Sequence, residues 1–209
     1  MTLLPRPGES AQRLFTRGIQ AALLSLVLYG VLTGHPKAIS NGAIALAITF
    51  VPAVLERNYS LPLDPWLALW LTVAVFLHSM GSAGLYGRLG WWDNLTHSMS
   101  ATIVAGAGYT VARAVDLHSD DVFVPRRFFS IYVFIVVLSF GVLWELFEFA
   151  LDIVSTSTGL TMPLAQHGID DTVTDLLYNS LGASIVAIFG QAHLTDVAET
   201  IREYRWGHD

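Results

Sequence analysis

FFSIYVFIVVLSFGVLWELFEFALD occupies Phe128–Asp152. Its first part, Phe128–Trp144, holds no charged residue. A run of that length suits a helix crossing the hydrocarbon core of a bilayer, about 17–25 residues. No water is present there to bond backbone groups, so the run must satisfy itself as a helix. Three carboxylates then follow. Glu145, Glu148 and Asp152 are spaced i, i+3, i+7 and share one helix face.

The same reading extends along the chain. Gly18–Gly34, Ala38–Leu55 and Leu176–Ala192 are free of charge; Pro65–Gly87 is interrupted only by His78, and Asn94–Ala112 only by His97. The predicted fold is all-α, a polytopic membrane protein built as a six-transmembrane-helix bundle. The predicted helices cover about 18–34, 38–55, 65–87, 92–115, 128–152 and 171–192. They form a single transmembrane domain over 1–209, with 193–209 as a cytoplasmic tail. The tail has apolar residues at Val197, Ile201 and Tyr204 and could lie as a short amphipathic helix on the inner surface.

Composition agrees. The 209 residues are 53% hydrophobic and 13% charged, about half the charge of a soluble domain. There is no cysteine, which excludes disulfides and thiolate metal sites. Arg6, Arg13 and Arg17 before an apolar run resemble a signal peptide. No small-x-small cleavage site follows, so the segment reads as a retained first helix. No basic, aromatic-interleaved patch suggests nucleic acid, and membrane lipids are the expected neighbours. The sequence leaves the oligomeric state open.

Six spans put both termini on one side. If that side is the cytoplasm, nine of the 11 Lys and Arg lie inside, and Lys37 and Arg88 lie outside. The excess of inner positive charge favours both termini in the cytoplasm of a plasma or inner membrane. The loop DLHSDDVFVPRR is then internal, and the Ser155–Ile169 loop external.

This topology brings polar residues to one depth. His78 lies near the outer end of the third span, and Asp93 and His97 open the fourth. Glu145 lies about 25 Å along the fifth at 1.5 Å per residue. Asp171, Asp175 and Asn179 follow i, i+4, i+8 as the sixth turns inward. Ionisable groups at that depth cost about 2.5–3.5 kcal/mol each if they face lipid, so they should face one another, water or a cation. Small residues, Ala101, Ala105, Gly108 and Ala112 in the fourth span and Gly182 and Ala183 in the sixth, allow the close packing this needs.

Several of these residues have plainer uses. Asp93 and Asp171 suit helix caps. His78 could be a core histidine bonded to a carbonyl, and Asp152 part of a loop. Asn179 and Tyr178 suit interhelical hydrogen bonds. Glu145, Glu148 and Asp175 lie inside helices and are not caps.

Up to five carboxylates and two histidines in a small volume need a divalent cation or shared protons. Oxygen and imidazole donors without thiolate suit Mg²⁺, Mn²⁺, Ca²⁺, Fe²⁺ or Zn²⁺. The predicted ligands are Glu145, Glu148, Asp175 and His97 first, then Asp93, Asp171 and His78. Asn179, Tyr178 and Asp152 support them. The Glu-x-x-His pairs of di-iron bundles are absent, as are H-E-x-x-H, G-x-S-x-G and P-loop patterns.

WWDNLTHSMSA, LWELFEFALD and DTVTDLLYNSLGA together resemble the YjdF-like family of prokaryotic inner-membrane proteins. That family shows a similar order of Asp-x3-His, Trp-Glu-x2-Glu and Asp-x3-Asp elements on successive helices. The last element is also similar to VanZ-like proteins, which are linked to glycopeptide resistance. The resemblance covers roughly the second half of the chain, and it implies that these three elements act together in one membrane site.

The expected function is that of a membrane protein binding a divalent metal in its outer half and acting on or binding an envelope lipid or lipid-linked substrate. One alternative is a proton- or cation-coupled transporter, against which the inner half has no matching polar path. The other is a non-catalytic polar network that fixes helix packing. The sequence does not decide whether there is turnover.

Overall fold

A computed structural model describes residues 8–59, 65–118, 124–159 and 168–206. Every regular element among them is helical. They fall into two compact units, one ending at Trp92 and the other beginning at Asp93.

In the first unit, α1 spans Glu9–Thr33 and begins well before the expected apolar run. Gly34 ends it in the left-handed conformation (φ 68°), with its N–H bonded to Gly30 O. Proline starts α2, Pro36–Ile48, where a missing N–H costs nothing. The two helices meet at glycine. A Cβ on Gly30 would stand 2.9 Å from Ile39 N, and one on Gly42 would stand 2.9 Å from Val27 Cγ2. The expected second span is broken at Thr49–Phe50 and resumes as α3, Val51–Tyr59. Pro52 explains the break, because it has no N–H for the carbonyl of Ile48. Thr49 closes the turn by donating to Leu46 O and accepting from Gln20 Nε2 of α1.

α4 spans Pro65–Met80 and runs into a π-helical turn at Gly81–Leu85, with Gly84 at φ 133°. The chain folds back there. The Tyr86 ring covers Gly81, and its hydroxyl stands 2.7 Å from His78 Nδ1. Trp92 Nε1 donates to Leu77 O at 3.0 Å. Ser79 donates to Asn41 O at 3.2 Å and ties α4 to α2.

The second unit is built on α5 (Trp92–His118), α6 (Arg126–Thr158) and α7 (Ile169–Trp206). α5 and α7 cross closely at Gly182, where a Cβ would meet Ser98 O at 2.4 Å and Ala101 Cβ at 2.7 Å. Gly141 of α6 gives the same room to Leu176 and Asn179 of α7. Between the helices lie Ala101, Ala105, Val133, Val137 and Ala183, all buried. Ile131, Ile135, Phe140, Leu177 and Ile188 point outward and are exposed. Large apolar residues outside a core of smaller ones suit surroundings of lipid.

Five described stretches are long and apolar enough to cross a membrane: Glu9–Thr33, Pro36–Asn58, Pro65–Leu85, Arg127–Thr158 and Ile169–Phe189. α5 has the length, at 27 residues. Its Asn, His, Ser and Thr residues keep it out of that set on composition. α7 does not stop near residue 192 but continues unbroken to Trp206. Residues 119–123 and 160–167 of the expected inner and outer loops, and 207–209 of the tail, lie outside the described residues.

Candidate metal centre

α5 starts at Trp92, so Asp93 and His97 occupy its first two turns. Their i, i+4 spacing stacks them on one face, with His97 Nε2 3.7 Å from Asp93 Oδ1. α7 starts at Ile169 and carries Asp175 in its second turn. Asp175 Oδ2 stands 3.6 Å from the same His97 nitrogen. One donor atom from each of Asp93, His97 and Asp175 lies within 4.8 Å of the others. Ligands about 2.1 Å from a shared cation stand about 3–4 Å apart, so this spacing fits a common ion.

Backbone packing sets the register. Ser98 Oγ, next to His97, donates to Tyr178 O of α7 at 3.2 Å. The close crossing at Gly182 lies one turn further on. The two contacts leave α5 and α7 little freedom to slide and keep His97 against Asp175.

α6 supplies the next carboxylates. Glu145 and Glu148 are 4% and 8% exposed, and Asp175 is 2% exposed. Thr172 Oγ1 donates to Glu145 Oε2 at 2.8 Å. Trp144 Nε1 donates to Glu148 Oε1 at 3.0 Å. Asp93, Asp171, Glu145 and Glu148 all lie within electrostatic reach of Asp175. Asp93, Asp171 and Glu145 also lie within reach of Glu148. The second unit therefore gathers five carboxylates and one imidazole from three helices. Glu145 Oε1 and Asp175 Oδ1 are buried with no hydrogen-bond partner among the described residues. A buried polar atom of this kind calls for a specific explanation.

The remaining predicted residues fall as follows. His78 belongs to the first unit, where Tyr86 is its partner. Asp152 is half-buried within α6 and not in a loop. Asn179 is buried against Gly141, and Tyr178 contributes its backbone carbonyl. Sequence reasoning passed over Thr172 and Trp144. The i, i+4 spacing of Trp144 and Glu148 was a readable signal; nothing local marked Thr172 as the partner of Glu145, 27 residues away.

No solved structure matches the chain. An uncharacterised protein of Thermotoga maritima is 29% identical over 140 residues, covering 66% of this chain and 68% of that one. The family model described as "Predicted membrane protein (DUF2238)" matches residues 15–196. That stretch takes in all five apolar helices in whole or large part, and the whole carboxylate and histidine cluster. The chain belongs to this family of predicted membrane proteins.

Proposed function

We propose that the protein holds a divalent cation among Asp93, His97 and Asp175, with Glu145, Glu148 and Asp171 around it, and acts on or binds an envelope lipid or lipid-linked substrate. In this reading α5 is a sixth span and both termini are cytoplasmic, in keeping with the nine-to-two division of basic residues. The cluster then lies in the outer half of the membrane, where a lipid headgroup can approach. The ordered elements resembling YjdF-like proteins support treating the three helices as one site.

The observation that carries the reading is the carboxylate of Asp175. It is almost wholly buried, one oxygen faces His97 and the other has no hydrogen-bond partner among the described residues. A structural network would be expected to satisfy both oxygens. A cation supplies the missing partner and offsets the surrounding negative charge. Bound there, it would polarise a phosphoryl or carbonyl oxygen or activate water.

Elemental analysis of the purified, detergent-solubilised protein tests this, with Glu148→Gln and Asp175→Asn beside the wild type. A stoichiometric metal whose content falls in both variants is the expected result. No metal in folded wild-type protein, or unchanged content in both variants, overturns it.

A further inference from the structure

We infer that the cluster is built for two divalent cations bridged by Asp175, an inference that rests on the metal-binding reading above. A first cation between Asp93, His97 and Asp175 uses one oxygen of each aspartate. Asp175 Oδ2 is the oxygen nearest His97, so Oδ1 remains over, buried and without a hydrogen-bond partner among the described residues. A second atom of the same kind stands on the neighbouring helix. Thr172 occupies Glu145 Oε2, and Glu145 Oε1 is buried with no hydrogen-bond partner among the described residues. A single cation in the aspartate–histidine group leaves Glu145 unexplained, because Glu145 is not among the three residues of that group.

Charge leads to the same count. Three of the five carboxylates, Glu145, Glu148 and Asp175, are buried, and Asp93 and Asp171 are half-buried within electrostatic reach of Asp175. With all five ionised, one divalent cation leaves three negative charges uncompensated, and two cations leave one. A carboxylate can bind one ion through each oxygen, and paired cations in two-metal sites stand about 3.5–4 Å apart. Asp175 has the free oxygen needed to bridge. Glu145 Oε1 would then serve as a ligand of the second cation, with Glu148 and Asp171 the further carboxylates within electrostatic reach of Asp175. Thr172 and Trp144 act as positioning residues that fix which oxygen of each glutamate is left for the metal. Paired oxygen-ligated cations favour a substrate that offers two anionic oxygens, such as a phosphate group.

The full-length protein, purified in detergent and stripped with chelator, is titrated with Mn²⁺. Binding stoichiometry and the electron paramagnetic resonance spectrum are both recorded. Wild type is expected to bind two Mn²⁺ per chain and to show a spectrum broadened by spin coupling. Glu145→Gln should bind one, with an uncoupled six-line spectrum. Glu145→Asp keeps the charge but withdraws the oxygen, and should weaken the second cation about tenfold or more; it is the second variant should Glu145→Gln fail to fold. One uncoupled Mn²⁺ in wild type overturns the pair and leaves the single-cation reading standing. Two coupled ions with unchanged affinity in the Glu145 variants overturn the role given to that residue. No Mn²⁺ bound at all overturns both readings.

Discussion

Gly182 of α7 lies directly against the carbonyl of Ser98 on α5. A Cβ at Gly182 would stand 2.4 Å from that oxygen, and Ser98 is the neighbour of His97. The obstacle is backbone, so it cannot swing aside like a side chain. Gly182→Ala should force the helices apart and cost about 1–3 kcal/mol. Metal affinity should fall with stability, because His97 and Asp175 separate together. Gly106→Ala is the control: its Cβ would meet only Leu194 Cδ1 at 3.7 Å. It should be neutral or stabilising by up to about 1 kcal/mol. Thermal unfolding in one detergent checks both, and equal midpoints for the two variants would argue against the crossing.

In metal-free protein, Thr172→Val removes the donor to Glu145 Oε2 and leaves both oxygens of a buried carboxylate without a hydrogen-bond donor among the described residues. A loss of about 1–3 kcal/mol is expected. Thr172→Ser keeps the hydroxyl and should recover most of it. A serine variant as unstable as the valine variant would mean that the methyl group, and not the hydrogen bond, matters here.

Asp175→Asn should have opposite effects in the presence and absence of metal. Without metal and at alkaline pH, where folded wild type must hold an ionised Asp175 beside four other carboxylates, the substitution should raise stability by about 1–3 kcal/mol. With Mn²⁺ present, wild type should gain stability and the variant should gain little. Melting curves with chelator and with Mn²⁺ measure the crossover. A variant less stable under both conditions would identify Asp175 as a packing residue.

Gly81→Ala and Tyr86→Phe should disturb the same contact. An added Cβ at Gly81 would stand 2.3 Å from the Tyr86 ring, which must leave its place beside His78. Tyr86→Phe keeps the ring and loses only the hydroxyl, at a cost of about 0.5–1.5 kcal/mol. Gly81→Ala should cost more, about 1–3 kcal/mol. The imidazole nitrogen resonance of His78 should move in both variants. An unmoved resonance in Tyr86→Phe would remove the hydrogen bond from the account.

The stripes were legible because helical spacing alone puts Asp93 with His97, and Glu145 with Glu148, on one face each. Alternating span direction then places those faces at one end of the chain's second half. Hydropathy located the helices but not their ends: α1 and α7 extend through charged residues that a helix tolerates once it leaves lipid. The interruption at Thr49–Phe50 was marked by Pro52 and was lost in an otherwise continuous apolar run. The partners of His78 and Glu145 could not be read. Tyr86 reaches His78 only through the turn at Gly81–Leu85, and Thr172 reaches Glu145 only through the packing of α6 on α7. Spacing along one helix contains neither relationship.

The unbroken length of α7 has a mechanical consequence. Its 38 residues extend about 57 Å at 1.5 Å per residue, nearly twice the thickness of a hydrocarbon core. Asp175 stands in its second turn, so the rest of the rod is a long arm on one side of that residue. The close crossing at Gly182 makes that residue the pivot, and a tilt of about 10° about it would sweep the Trp206 end through about 6 Å. Small adjustments of the carboxylates would thus be delivered, magnified, to the opposite end of the helix.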